Sequence, residues 1–126
     1  AARMTATIQK AANLPDLAGH AKALGQALQQ VAAASQKAWA TGSPTEALAN
    51  AVPYMQAFGH TVLAWIWLDV ALTALNNDAT LSIAANAGRL GAIRYFYHYE
   101  LPKMGAWLNV VNARDMTCAA LAEEAF

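Results

Sequence analysis

Apolar residues in this chain recur at steps of three and four along almost its whole length, and strict alternation is nearly absent. That 3.6-residue period commits the chain to amphipathic helices and leaves little room for strands. The predicted architecture is all-α: an up-down bundle of four main helices with short terminal helices, forming a single domain over residues 1–126.

Helix boundaries come from local chemistry. Residues 3–13 carry Met4, Ile8 and Ala11 at helical spacing. Asn13-Leu14-Pro15-Asp16 restarts the chain, because Pro suits a first turn and the Asp charge favours the positive helix end. The next helix is predicted to run from 16 to 41, with Leu17, Ala21, Leu24, Leu28, Val31, Ser35 and Ala38 as its seam. Gly42 ends it, and Ser43-Pro44-Thr45-Glu46 supplies a capping box with Pro at the first helical position. Pro53 is expected to break or kink the helix that this box opens. From there Met55, Phe58, Val62, Trp65, Asp69 and Leu72 form one seam, flanked by Leu63, Ile66, Trp67 and Val70.

Asn76-Asn77-Asp78 reads as a turn, with Asp78 or Thr80 as the next cap. The third main helix carries Ile83, Ala87, Leu90, Arg94, Tyr97 and Leu101 along one stripe. Ala84, Gly88 and Gly91 with Ala92 form a second, small stripe suited to close helix approach. Leu101-Pro102 ends or bends this helix. A fourth comes next, with Met104, Leu108 and Val111 inward, and Asp115 caps a last turn or two through Cys118, Leu121 and Ala122.

Composition narrows the function. Charged residues are 13% against 57% apolar, far fewer charges than a soluble domain usually carries, so part of the surface is expected to be covered by something else. Net charge is zero and the basic residues are scattered, which argues against nucleic-acid binding. One cysteine fits a reducing cytosol, and a cytoplasmic location is expected. A membrane span over 57–75 is disfavoured, because the tryptophans sit mid-segment and Asp69 falls inside it. The chain begins without an initiator Met, so it is expected to have been processed or cut from something longer.

Asp69 lies on the apolar stripe, where a lone charge is costly, and a turn near residue 78 sets it close to Arg89. An Asp69–Arg89 structural pair is therefore predicted, with Arg94 the second choice. The same arithmetic sets His60 opposite Phe96 to His98. His20 reads as a residue of a solvated face, and Cys118 as a small core thiol. His60 and His98 are free to approach one another, yet two imidazoles make a weak metal site. No residue set points to a catalytic, cofactor-binding or metal role. Tyr95, Tyr97 and Tyr99 fan around the helix, so Tyr95 and Tyr99, with Trp67, are expected to offer an interdomain contact.

Two stretches carry a family resemblance: Phe58-Gly59-His60…Ala64-Trp65-Ile66-Trp67-Leu68, and Arg94-Tyr95-Phe96…Tyr99-Glu100-Leu101-Pro102-Lys103-Met104-Gly105-Ala106. With them the chain resembles the C-terminal helical domain of a bacterial branch of acyl-CoA dehydrogenases, including those acting on methylmercaptopropionyl-CoA. The resemblance implies a parent flavoprotein of fatty acid metabolism that binds FAD and oxidises acyl-CoA to enoyl-CoA. It implies that the base and the flavin contacts lie in preceding domains of the same chain, and that the parent is a homo-oligomer. The 126 residues by themselves are then expected to be inactive. The competing reading is a free-standing helical adaptor or small-ligand binder, using an aromatic groove near Trp65, Trp67, Tyr95 and Tyr99.

Overall fold

A computed structural model describes residues 1–76 and 82–126 of the chain. The described residues contain helices and no strands, as the apolar period requires. In order they are α1 (Ala2–Ala12), α2 (Ala18–Ala38), α3 (Pro44–Leu48), α4 (Ala51–Asn76), α5 (Ile83–Tyr95), α6 (Met104–Ala113) and α7 (Thr117–Ala120). A π turn at Phe96–Glu100 and a 3-10 turn at Leu101–Lys103 join α5 to α6, and a 3-10 turn at Glu123–Ala125 comes after α7.

The start of α3 behaves as the sequence demands, but α2 ends at Ala38 with Trp39 at its C-cap, short of the predicted end at 41. Gly42 takes φ +70°, a left-handed conformation that costs a residue with a Cβ. The Ser43 hydroxyl then accepts from the Glu46 amide at 3.5 Å, with Pro44 opening α3. Glu46 does not reach back to the Ser43 amide. Its carboxylate accepts from Thr41 and, at 2.8 Å, from Arg114 at the far end of the chain. Arg114 holds φ 54° as the left-handed cap of α6, so this ion pair anchors a residue in an unfavourable conformation.

Helix α4 is the hub, packing against α1, α2, α5 and α6. It begins at Ala51, so Pro53 lies within the first turn, where no intrahelical donor is needed, and it breaks nothing. The predicted seam of α4 is displaced. Ala57, Thr61, Ala64, Leu68 and Ala71 are buried, whereas Met55 and Phe58 are exposed and Val62 and Trp65 half-buried. Several neighbours press on one helix, and close approach of helix axes favours alanine and threonine at the contact over bulk. Leu72 is the member of the predicted seam that stays inside. In α2 the same drift occurs: Leu17, Ala21, Leu24 and Val31 are buried, but Ala27 and Ala34 displace Leu28 and Ser35.

The stripe proposed for the third helix is corrected more deeply. Ile83 is 91% exposed, Ala87 and Arg94 face outward, and Leu90 is half-buried. The buried line is Ile93, Tyr97, Leu101, Met104, Leu108 and Val111, which opens with two consecutive steps of four. Pro102 explains the slip. It has no amide proton for the His98 carbonyl, and its ring would press on that carbonyl in a regular helix. The Leu101 amide instead reaches the Phe96 carbonyl, five residues back, and the turn widens by one residue. The chain bends through Leu101–Lys103 and resumes as α6, with Met104, Leu108 and Val111 inward as predicted.

Three smaller expectations also change. Ser82 caps α5, its hydroxyl accepting from the Ala85 amide at 3.1 Å; the Asn77-Asp78 turn and the Thr80 cap lie outside the described residues. An added Cβ at Gly88 or Gly91 would meet open space, so these glycines do not mediate close packing within the chain. Cys118 is exposed on α7 and is no core thiol. Asp115 does cap that turn, accepting from the Thr117 amide at 2.9 Å, which lowers its carboxyl pKa.

Candidate functional site

Three polar clusters lie along α4; the first joins it to α1, the second to the π turn, and the third to the same turn with His20 of α2 beside it. The first is on α1. The Trp65 indole donates to the Thr7 hydroxyl at 2.9 Å, and Thr7 donates to the Asp69 carboxylate at 2.8 Å. Thr7 is buried, so both bonds satisfy groups that would otherwise lose water uncompensated. Here the predicted Asp69–Arg89 pair is corrected. The ion pairs among the described residues are His60–Glu100, Lys103–Glu100 and Arg114–Glu46, and both Asp69 and Arg89 are exposed. Asp69 sits on the side of α4 that meets α1, while Arg89 is on the outer side of α5. Thr7 takes the role assigned to the arginine; a lone threonine in a short helix left no pattern by which to find it.

The second cluster joins α4 to the π turn. The His60 Nε2 lies 3.3 Å from a Glu100 carboxylate oxygen, and its ring packs on Phe96 at 5.7 Å and edge-on to Trp107 at 4.7 Å. The predicted register of His60 against Phe96 therefore holds. Lys103 donates to both Glu100 oxygens, at 3.0 and 2.9 Å. The Lys103 and His60 hydrogen bonds hold the Glu100 carboxyl below the usual carboxylate range. It is thus a structural anion. A general base for carbon acids needs its pKa raised towards neutrality, the opposite shift.

The third cluster surrounds Tyr97. Its hydroxyl donates to the Ala64 carbonyl at 2.8 Å, and burial pushes its pKa up. His20 stacks on the same ring at 4.5 Å, with His98 edge-on to His20 at 6.1 Å. This corrects the solvated placing of His20, and it separates His98 from His60. Among the described residues, no group of three or more metal-ligating side chains converges.

Burial, and then the charges of His98 and Arg94, hold His20 below its ordinary value of 6.5. The folded-state pKa lies below the unfolded one, so protonation favours the unfolded chain. The stability due to neutral His20 is complete above the unfolded value and is lost as pH falls through the folded one. The midpoint of urea unfolding should therefore decline from about pH 7 to about pH 5, and a His20→Gln variant should flatten that slope. An identical slope in the variant would show that another group carries it.

The residues chosen for an outward contact are placed as follows. Tyr95 and Tyr99 are 56% and 66% exposed and stack on each other at 4.9 Å, presenting a flat phenolic patch. Trp67 is half-buried against the core. An apolar groove lies elsewhere, between α1, α2 and α4. It holds about 500 Å³ and is lined by Met4, Leu28, Val31, Tyr54, Phe58 and Val62 among others. Six of the seven glycines lie inside helices and the seventh is the cap at Gly42.

A family model described as acetyl-CoA dehydrogenase C-terminal like matches residues 1–122. The chain belongs to this family. No curated protein and no solved structure matches the chain significantly. Within the acetyl-CoA dehydrogenase C-terminal-like family, then, this member is an all-α module of an acyl-CoA dehydrogenase. Among the described residues, its polar side chains tie helix to helix.

Proposed function

We propose that this module is noncatalytic and serves interdomain or subunit packing in an FAD-dependent acyl-CoA dehydrogenase of the methylmercaptopropionyl-CoA branch. The parent oxidises an acyl-CoA to an enoyl-CoA in the cytoplasm, with the flavin and the base held by domains preceding this one. Family membership supports the parent class. The observation that carries the packing role is α4 itself. It is apolar around its whole circumference and long enough to cross a membrane, yet only 33% of its most apolar window is buried. A helix apolar on all sides belongs inside a larger assembly. Val52, Met55, Leu63 and Ile66, between 46% and 71% exposed, form the uncovered side.

The purified 126-residue chain is expected to be colourless and to show no acyl-CoA-dependent dye reduction. Stoichiometric flavin or turnover would overturn the assignment. A second reading, a free-standing small-ligand bundle, draws on the groove of about 500 Å³, a size that suits a small molecule. Its lining is mostly apolar, with Thr5, Gln29, Ser35, Tyr54 and Thr61 as its polar members. Codons for a flavin domain upstream in the same reading frame decide between the two.

A further inference from the structure

We propose that Arg94, His98 and His20 form a binding site for a phosphate monoester, where α2 meets the π turn. The site goes beyond the packing role and does not depend on it. Arg94 lies in the last turn of α5, and His98 follows four residues later inside the π turn, so the two share one edge. His20 reaches them from α2, its ring edge-on to His98 at 6.1 Å and stacked on Tyr97 at 4.5 Å. Tyr97 is buried and its hydroxyl is fastened to the Ala64 carbonyl, so the surface that carries His20 is rigid. Basic groups from two elements are thereby set in place before any ligand arrives.

The charge balance selects an anion. None of the ion pairs among the described residues includes Arg94, His98 or His20. Glu100, the acid nearest His98 in sequence, is held by Lys103 and His60. Asp16, the acid nearest His20, is exposed ahead of α2. After burial, the charges that act on His20 are those of His98 and then Arg94, with no carboxylate to offset them. An anion placed among the three reverses that effect and favours the charged imidazole.

The donor set selects a phosphate monoester. A planar carboxylate has two oxygens, enough for one arginine fork. A phosphate monoester turns three oxygens outward, which serve the Arg94 guanidinium and an imidazole from each side. Its second pKa is about 6, in the range where histidine takes up a proton. The remaining basic residues are scattered, so one phosphate group suits this edge better than a polyanion.

Inorganic phosphate added to the 126-residue chain at about pH 6.5 should shift the His20 and His98 Cε1 proton resonances saturably, and move the His20 titration upward. Arg94→Gln and His20→Gln should each weaken binding roughly tenfold or more with helicity unchanged. Arg89→Gln, on the outer side of α5, should leave it as it was. Affinity should rise as pH falls from about 8 to about 6, because His20 gains its charge over that range. Phosphatidylcholine vesicles carrying phosphatidic acid separate the two sources of the group. Pelleting of the chain that Arg94→Gln abolishes assigns the site to a lipid headgroup; phosphate binding without pelleting assigns it to a soluble monoester. No saturable response to phosphate, an equal response to acetate at matched ionic strength, or binding unchanged in both Arg94→Gln and His20→Gln would overturn the proposal. Each of these outcomes leaves the noncatalytic assignment intact, since that assignment falls only on flavin or turnover.

Discussion

Leu68→Ala is expected to destabilise the fold by about 3–4 kcal/mol, read as a fall in the urea midpoint at unchanged slope. Leu68 has 0% exposure and belongs to the α4 line that packs into the core. The neighbours on that line are Ala57, Thr61, Ala64 and Ala71, which have little bulk with which to collapse into the space. The cavity should therefore persist and the cost sit in the upper part of the usual range. By contrast Leu63→Ala, one of the exposed positions on the same helix, should change the stability of a single copy by less than about 0.5 kcal/mol. A loss under about 1 kcal/mol at Leu68 would mean that α4 is rotated from the orientation described.

Tyr97→Ala should cost about 3–5 kcal/mol, and Tyr97→Phe only about 1 kcal/mol. The ring is buried and stacked beneath His20, so truncation removes both packing and the lid of the His20 site. Removing the hydroxyl alone leaves the Ala64 carbonyl without its second donor, a smaller loss, because that carbonyl is already within a helix. The two variants together separate ring from hydroxyl by chemical denaturation. Equal losses would show that the hydrogen bond, and not the packed ring, holds the π turn against α4.

The residues differ in how far their roles could be read from the chain alone. Ser43 and Pro44 act through backbone conformation and local hydrogen bonds, so their effect is complete within a few residues and α3 opens where expected, whereas α2 ends at Ala38, before Gly42. Met104, Leu108 and Val111 sit on a short regular helix, where period alone sets the inward face. Asp69 was placed on an apolar stripe and assigned an arginine by counting across a turn. Counting gives distance along the helices and says nothing of rotation about them. Rotation set Asp69 toward α1, where Thr7 meets it. The same holds for His20: its partner Tyr97 is distant in sequence, and only tertiary packing brings the two rings together.

Alphabet and period thus dictated an all-α chain, the capped start of α3, and how few charges the chain has for its surface. These are short-range matters, settled by backbone donors, cap side chains and the 3.6-residue turn. Which side of α4 faces inward, which partner each polar group finds, and which apolar face stays uncovered were decided only by tertiary packing. The physical reason is that α4 is apolar all round, so hydrophobicity cannot choose its orientation. Small residues let four neighbours close on one side of it, and the bulky side stays exposed.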